Sequence, residues 1–428
     1  MQLAKTLNAI LGNRDLKKRI LLTIGLLLIF RIIAHIPLPG VDVSGLKNFF
    51  ESNQLVGMLD LLSGGSVSRF SLALLGVGPY ITASIVFQLL GMVIPSLEAL
   101  QKEGEHGRQK INQYTRYAAV PLAFIESFGL IKLLQSQAVV GDLTAFQMLV
   151  TMVTATGASM FLMWLGEIIS EKGIGNGISM IISLGIIAGL PPSISSLSQL
   201  VSGDTTKTIF AIGYGVVILA MISFIIYITE AERRLPVTYA RRLRSSSSTT
   251  RVDSYLPMKL NAGGVIPIIF ASSLLVFPGL IAQLFSNAKS EWLQNAATAV
   301  NSFVSNNYYY SGLFFLLVIA FTFFYTSVVV QPDRMAENLQ KQGSFIPGLR
   351  PGRETSTYIK NVTYRITATG ALALALVAVL PFLMQAASPE FKVLSIGGTG
   401  ILIIVSVALE TIRQINSHIT TQTYDKFM

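Results

Sequence analysis

Long apolar segments recur along the whole chain, and they constrain its fold more than any other feature of the sequence. A bilayer core roughly 30 Å thick is crossed by about 20 apolar residues in a helix. Only 13% of the residues are charged, about half the fraction found in a soluble domain. The sequence therefore excludes a soluble enzyme and predicts an all-α polytopic membrane protein with ten transmembrane helices. These spans 1 to 10 lie near residues 20–36, 71–95, 115–134, 146–169, 174–190, 209–228, 262–285, 312–331, 366–386 and 396–413.

The distribution of basic residues between successive loops predicts the orientation in the membrane. Of the 32 Lys and Arg residues, 25 lie in the two termini and the loops after even-numbered spans, and six lie in the other loops. Because cytoplasmic loops are enriched in Lys and Arg, both termini are predicted to be cytoplasmic. Lys17-Lys18-Arg19 precedes an apolar run as in a signal peptide, but the run contains Arg31 and lacks a small-residue cleavage pattern. Residues 20–36 are therefore predicted to remain as span 1.

The ten spans divide into two sets of five. An odd number of spans in each half gives the halves opposite orientations, which is the inverted-repeat plan of many transport proteins. We therefore predict an N-terminal half, 1–190, and a C-terminal half, 191–428. The two longest connections, about 229–261 and 332–365, are predicted to be basic cytoplasmic loops that face either anionic lipid headgroups or an acidic partner.

Two features of the first half are unusual for a simple bundle of apolar helices. Residues 55–70 are half apolar but too short to span, so this segment is either interfacial or re-entrant, and Gly64-Gly65 would let it move as a unit. Glu126 lies inside span 3. Its carboxyl is either a structural group, hydrogen-bonded between helices or protonated, or part of a polar seam between movable helices.

The sequence lacks the groups that energy coupling or catalysis would require. There is no G-x-x-x-x-G-K-[ST] phosphate loop, and Gly173-Ile-Gly-Asn-Gly177 joins two apolar helices, so we predict a tight turn that needs glycine backbone conformations. With no cysteine and three scattered histidines, we expect no disulfide, metal site or cofactor. For a membrane-embedded hydrolase, the sequence offers no paired set of catalytic residues. A small-solute transporter is the alternative, and it would need a polar, ion-coordinating site at the midplane.

Seven motifs follow one another in order along nearly the whole chain. They are Pro79-Tyr-Ile-Thr-Ala-Ser-Ile85, Gln113-Tyr-Thr-Arg-Tyr117, Phe161-Leu-Met-Trp-Leu-Gly-Glu167, Gly173-Ile-Gly-Asn-Gly-Ile-Ser179, Gly264-Val-Ile-Pro-Ile-Ile-Phe-Ala-Ser-Ser273, Glu337-Asn-Leu-Gln-Lys-Gln-Gly343 and Phe345-Ile-Pro-Gly-Leu-Arg-Pro-Gly352. Together they resemble the SecY family, the central subunit of the bacterial protein-export channel.

The resemblance implies a passive channel, not an enzyme, that passes unfolded secretory polypeptides and releases apolar segments into lipid. It implies a lateral gate between spans 2, 3, 7 and 8, with Gln88, Glu126 and Phe277 at gate positions. The residues expected to form an aliphatic pore ring are Ile81, Ile85, Ile182, Ile186, Ile269 and Ile403. A plug, about residues 55–66, is expected to include Met58, Leu59, Leu61, Leu62, Gly64 and Gly65.

The resemblance also implies partners and a location. Signal-sequence-bearing polypeptides would be the substrates, SecE and SecG the accompanying subunits, and the SecA motor ATPase or the ribosome the source of energy. The expected location is the bacterial cytoplasmic membrane. Arg350 lies between two Pro-Gly pairs on what should be a stiff, projecting turn, and it is expected to contact a partner together with Arg353, Arg241 and Arg242. The Ser-rich sequence after Arg244 departs from the family, which carries more basic and glycine residues there.

Overall fold

Helices make up most of the structure, a computed structural model that describes residues 13–38, 63, 66–67, 70–136, 140–141, 143–201, 205–239, 254–285, 290–387 and 398–425. In chain order the helices are α1 (Arg14–Ile33), α2 (Gly78–Val93), α3 (Pro95–Lys102), α4 (Glu105–Ser136), α5 (Ala145–Lys172), α6 (Gly177–Val201), α7 (Thr205–Glu230), α8 (Ile266–Phe285), α9 (Glu291–Ser305), α10 (Asn307–Val329), α11 (Pro332–Lys341), α12 (Arg353–Ala387) and α13 (Gly398–Asp425). The strands are β1 (Glu232–Tyr239), β2 (Ser254–Lys259) and β3 (Ser344–Phe345). Helices α1, α2, α4 to α8, α10, α12 and α13 overlap the ten predicted spans in order.

The helices have the length and composition of a polytopic membrane protein. Within the described part of the chain, seven helices are long and apolar enough to cross a membrane, and α2 with α3 qualifies as a pair bent by 107°. Within α8, Ile266–Val276 forms an apolar helix that is shorter than these seven. The fold class is therefore confirmed as helical and polytopic, whereas the count of ten spans stays a prediction.

Span 2 begins later than predicted and ends in a sharp bend. Residues 71–77 form buried turns, and α2 begins at Gly78 with Pro79 in its first turn, where the missing proline N–H costs no helical hydrogen bond. At the other end, Pro95 disfavours helical backbone at Ile94. The chain bends there into α3, which packs against both α2 and α4.

Two helices are longer than the predicted spans. α6 continues past the predicted end at 190, through Pro191 and Pro192, to Val201. α12 begins at Arg353 instead of residue 366, so its first turns are polar. A helix can continue after its apolar stretch has ended, so the apolar run locates the span but does not fix the helix ends.

The two basic loops meet in a small antiparallel sheet that the sequence analysis did not predict. β1 lies in the middle, pairing with β2 over six residues and with β3 only at Thr238 and Tyr239. Pro236 has no N–H to donate to a second strand, and it lies in the part of β1 that pairs with β2 alone. The end of the helix bundle that carries this sheet is called the sheet end below.

An apolar cluster holds the sheet against the helices. Leu235 of β1 and Met258 of β2 are buried together with Ile346, and this group packs on Ile359 and Val362 of α12. The three strands and the start of α12 therefore form one packed unit.

The interior of the helix bundle contains two apolar clusters. The larger one, called the main cluster, joins buried side chains from α1, α2, α5 to α10, α12 and α13. The smaller one lies at the end opposite the sheet, where Leu38, Val67, Phe70 and Leu74 pack on α4 and α5. The turns before α2 are thus buried against neighbouring helices.

Candidate functional site

The six isoleucines proposed from sequence as a ring all lie in the main cluster. Ile81 and Ile85 occupy one face of α2 because they are four residues apart, and Ile182 and Ile186 are related in the same way on α6. The other two come from α8 and α13. All six side chains are at most 5% exposed, and they are Ile81, Ile85, Ile182, Ile186, Ile269 and Ile403.

The helices that supply these isoleucines pack in pairs. α2 contacts α8, and α6 contacts α13. Each pair joins one helix from each predicted half of the chain. The apolar side chains therefore meet where the halves face each other, which is the position that a constriction between them would require.

Glu126 faces α2, the neighbour of its own helix α4. Its Oε2 atom lies 3.9 Å from the position that a Cβ on Gly78 would occupy, and the Thr82 hydroxyl, one turn further along α2, donates to the Gly78 carbonyl at 3.1 Å. The carboxyl therefore lies against α2, a helix of its own half. α4 itself also packs on α8, so Glu126 lies on a helix of the interface between the halves.

The two other predicted gate residues lie on the facing helices. Gln88 of α2 donates from Nε2 to the Ser84 hydroxyl at 3.1 Å. In the part of the chain that the structure describes, its buried Oε1 has no hydrogen-bond partner. Phe277 lies in α8 next to Pro278. A buried amide oxygen without a partner is costly, so Gln88 is an unsatisfied polar group on α2, a helix that contacts α8.

The predicted plug falls mostly outside the described residues. Met58, Leu59, Leu61, Leu62, Gly64 and Gly65 all lie there. Within its bounds of about 55–66, Ser63 and Ser66 are described and buried, and the Ser63 hydroxyl accepts from the backbone N–H groups of Ser66 and Val67 at 3.3 Å each. Ser63 also lies directly against Gly76, so this part of the predicted plug is in close backbone contact with the turns before α2.

The glycine-rich turn between α5 and α6 is confirmed as a turn that requires glycine. Gly175 has a φ of 86°, in the left-handed region, and a Cβ on Gly177 would overlap the Gly166 carbonyl. Its backbone N–H groups already have protein acceptors. These bonds are Ile174 to Thr23 Oγ1 at 3.1 Å, Gly175 to Gln414 Oε1 at 2.7 Å and Gly177 to Ser170 Oγ at 2.8 Å. The turn therefore joins α1, α5 and α13.

Two ion pairs tie helices together near the sheet end. Arg116 of α4 contacts Glu167 of α5 at 2.7 Å. Arg413 of α13 contacts Glu230 of α7 at 2.7 Å and donates to the Thr229 carbonyl at 2.7 Å. The second contact is the more constraining because the same guanidinium binds a side chain and the backbone, just before β1 begins.

Arg350 is exposed on a turn whose backbone is fixed on both sides. Gly348 and Gly352 have φ values of 84° and 105°, which favour glycine. The Arg350 carbonyl accepts from the Thr355 hydroxyl at 2.8 Å, and its N–H donates to Glu354 Oε2 at 3.3 Å. The side chain thus projects from a stiff turn. Arg353 is exposed at the start of α12, whereas Arg241 and Arg242 lie outside the described residues.

Comparison with known proteins places this arrangement in a family. The family model described as SecY matches residues 71–412. The chain belongs to the SecY family. It is 40% identical to the SecY subunit of the protein translocase from Streptomyces griseus, with 97% of each chain covered. It is also 40% identical to the subunit from Helicobacter pylori, with 96% of this chain and 98% of that one covered. The identity to the Vibrio cholerae subunit is again 40%, with 97% of this chain and 95% of that one covered.

Solved structures agree with this assignment at the level of the fold. A structure described as a protein-conducting channel has a TM-score of 0.66 at 18% identity, covering 93% of this chain and 91% of that one. A SecY structure with the same values carries a plug domain described as stabilising the closed state. A channel from a canine ribosome–channel complex has a TM-score of 0.62 at 17% identity, covering 93% and 91%. This SecY-family chain is a multi-pass protein-translocation channel, of a family that is not enzymatic, and the solute-transporter alternative is set aside.

Sequence analysis missed the residues that join distant parts of this SecY-family channel. Thr23 and Ile174 are 151 residues apart, and Gly175 and Gln414 are 239 residues apart. Thr23 and Gln414 are ordinary polar residues in the interior of their helices, and their local sequence gives no signal. Only the packing of α1 and α13 around the glycine turn identifies them.

Proposed function

We propose that the six isoleucines form the waist of the polypeptide pore of this channel. The observation that supports the proposal is their common burial in one cluster, although they come from four helices in both predicted halves. A narrow apolar ring blocks ions because water is unstable within it, yet it forms no specific bond to a sliding polypeptide. Such a waist seals the membrane at rest and lets chains of any sequence pass.

The lateral gate is proposed to lie between α2 and α4 on one side and α8 and α10 on the other. The contacts of α8 with both α2 and α4 support this position, since separating these helices would open the bundle towards lipid. Gln88, Glu126 and Phe277 lie on helices that line this seam. Apolar segments of a translocating chain would leave through it because the hydrocarbon core favours them over the aqueous pore.

The plug and the orientation are proposed from sequence. Residues 55–66 would close the pore opposite the sheet end, and a solved SecY structure has a plug domain described as stabilising the closed state. The excess of Lys and Arg at the sheet end supports a cytoplasmic position for that end and for both termini, in the bacterial cytoplasmic membrane. The proposed division into an N-terminal half, 1–190, and an inverted C-terminal half follows from the same count of spans.

The partners are proposed to bind at the sheet end. SecA or the ribosome would contact Arg350 and Arg353, with Arg241 and Arg242 nearby in sequence, and SecE and SecG would accompany the channel in the membrane. The exposed Arg350 side chain on a rigid turn supports this, since a preordered backbone lowers the conformational entropy lost on binding an acidic partner. One structural relative was solved in a complex with the ribosome.

Site-specific photocrosslinking tests the waist. A photoreactive residue replaces Ile182 or Ile85 in membranes that contain a stalled secretory chain, and both positions should form adducts with it. Ile187 of α6 is the matched control, because it is 42% exposed on the opposite side of the same helix and should crosslink to lipid or a neighbouring subunit. Adducts from Ile187 but not from Ile182 would place the polypeptide path elsewhere.

A further inference from the structure

α9 is an amphipathic helix that the translocation mechanism does not explain. It connects α8 to α10 at the end opposite the sheet, because α8 begins and α10 ends beside the strands. At about 100° per residue, its side chains form one polar stripe and one broad apolar face. The apolar face consists of two neighbouring stripes, because one is packed on the protein and the other is exposed.

The first apolar stripe packs on the protein. Ala297 and Val304 are buried, and Leu293 and Val300, which complete the same face, are partly buried. Val304 belongs to the main cluster, and Val300 packs against it. α9 also contacts α8, the helix that carries Ile269. This stripe therefore packs α9 on the main cluster.

The second apolar stripe is exposed. Trp292, Ala296, Ala299 and Phe303 fall within about 60° of arc on the helix surface, and Trp292 is 74% exposed. The stripe continues onto α10, because the Phe303 ring stacks on Tyr309 with centroids 5.8 Å apart. Tyr309 lies on the same face of α10 as Leu313 and Leu316, and Leu316 is 64% exposed. This second stripe therefore runs directly into the lipid-facing surface of a predicted span.

The third stripe is polar and exposed. Its residues share one side of α9 and are Glu291, Gln294, Asn295, Thr298 and Ser302. A helix with one face on protein, one apolar aromatic face and one polar face has the pattern required where protein, lipid and water meet. Trp and Tyr favour this boundary because their rings combine an apolar body with a polar atom.

We propose that α9 lies in the headgroup region of the bilayer, with the stripe from Trp292 to Phe303 inserted into lipid. The occupant of the exposed apolar face is thus the lipid of the leaflet opposite the sheet end. Since α9 also packs on α8, this insertion fixes the far end of α8, the helix at the proposed lateral gate, at a constant depth in the membrane. Trp292 and the ring pair Phe303 and Tyr309 mark the two ends of the inserted stripe.

Fluorescence quenching of a single tryptophan tests the insertion. The chain has two tryptophans, so Trp164→Phe leaves Trp292 as the only one in the full chain reconstituted into phosphatidylcholine vesicles. Lipids brominated near the headgroup end of their acyl chains should quench Trp292 more strongly than lipids brominated near the chain ends. Aqueous iodide should cause only a small loss of fluorescence.

The matched control moves the tryptophan around the same helix. In the variant with Trp164→Phe, Trp292→Phe and Gln294→Trp, the indole lies on the polar stripe, so iodide should quench it and brominated lipid should not. The proposal is overturned if Trp292 is quenched by iodide as strongly as the control. It is equally overturned if neither quencher reaches Trp292, because a protein surface would then cover the stripe.

Discussion

Gly175 donates its backbone N–H to Oε1 of Gln414 at 2.7 Å, and this bond joins the turn between α5 and α6 to α13. It links the two predicted halves of the channel at the sheet end. Thr23 of α1 accepts from the neighbouring Ile174 N–H, so helices from the two opposite ends of the chain bind the same turn. The glycine turn is therefore a fixed junction on the side of the bundle where α6 and α13 pack.

Gln414→Ala should lower the stability of the purified channel. The substitution leaves the buried Gly175 N–H without an acceptor, which costs about 1–3 kcal/mol. Gln414→Glu keeps an acceptor at the same position and serves as the control. Thermal unfolding of both variants in detergent measures the effect, and equal unfolding temperatures for Gln414→Ala and the unmodified chain would contradict the role of this bond.

Gly177→Ala should destabilise the junction through a steric clash. The new Cβ would overlap the Gly166 carbonyl, and forcing extra atoms into such a contact costs about 1–3 kcal/mol. Gly189→Ala on the same helix is the matched control, because no atom lies within 4 Å of its added Cβ. The control should be neutral or stabilising by up to about 1 kcal/mol. Protein yield and thermal unfolding of the two variants decide the prediction.

Ile85→Asn should increase export of proteins with defective signal sequences. A buried amide without partners destabilises the sealed waist by about 1–3 kcal/mol, which favours the open channel by about one to two orders of magnitude. Val86→Asn is the control, since Val86 is the next residue on α2 and is 42% exposed.

Deletion of residues 57–65 gives a second test of the seal. It should have the same effect as Ile85→Asn, because waist and plug are proposed to close the pore together. Export of a reporter with a mutated signal sequence measures both variants. Unchanged export from both would contradict the assignment of the waist and of the plug.

Arg350→Glu should reduce export about tenfold or more without loss of the folded channel, since reversing a charge at an interface removes an attraction and adds a repulsion. The turn itself is held through the Arg350 backbone, by Thr355 and Glu354. Lys360→Glu, an exposed charge reversal on α12, is the control and should export normally. Export in membrane vesicles supplied with the motor ATPase measures the effect, and equal export by both variants would mean that Arg350 only faces lipid headgroups.

The positions of the helices and the glycine turn could be predicted because both depend on local sequence. Each predicted span overlaps a helix, since the length of an apolar run is a local property. The turn at Gly175 follows from the rarity of side chains with positive φ. The sheet could not be predicted, because β1 and β3 are distant in sequence. Pro236 also argues against a strand in the sequence, and only the structure shows that β1 pairs on one side alone at this residue.

The sequence by itself determined that this is a membrane channel of a recognisable family. Both signals, apolar runs of spanning length and seven ordered motifs, are patterns of residues that are close together in the sequence. Tertiary structure decided which isoleucines are buried in the main cluster. Ile182 is fully buried and Ile187 is 42% exposed, although both are isoleucines in the same apolar helix and differ only in rotation about its axis. Burial depends on which helices pack on each face, and contacts such as that between Gly175 and Gln414 depend on helices far apart in the chain.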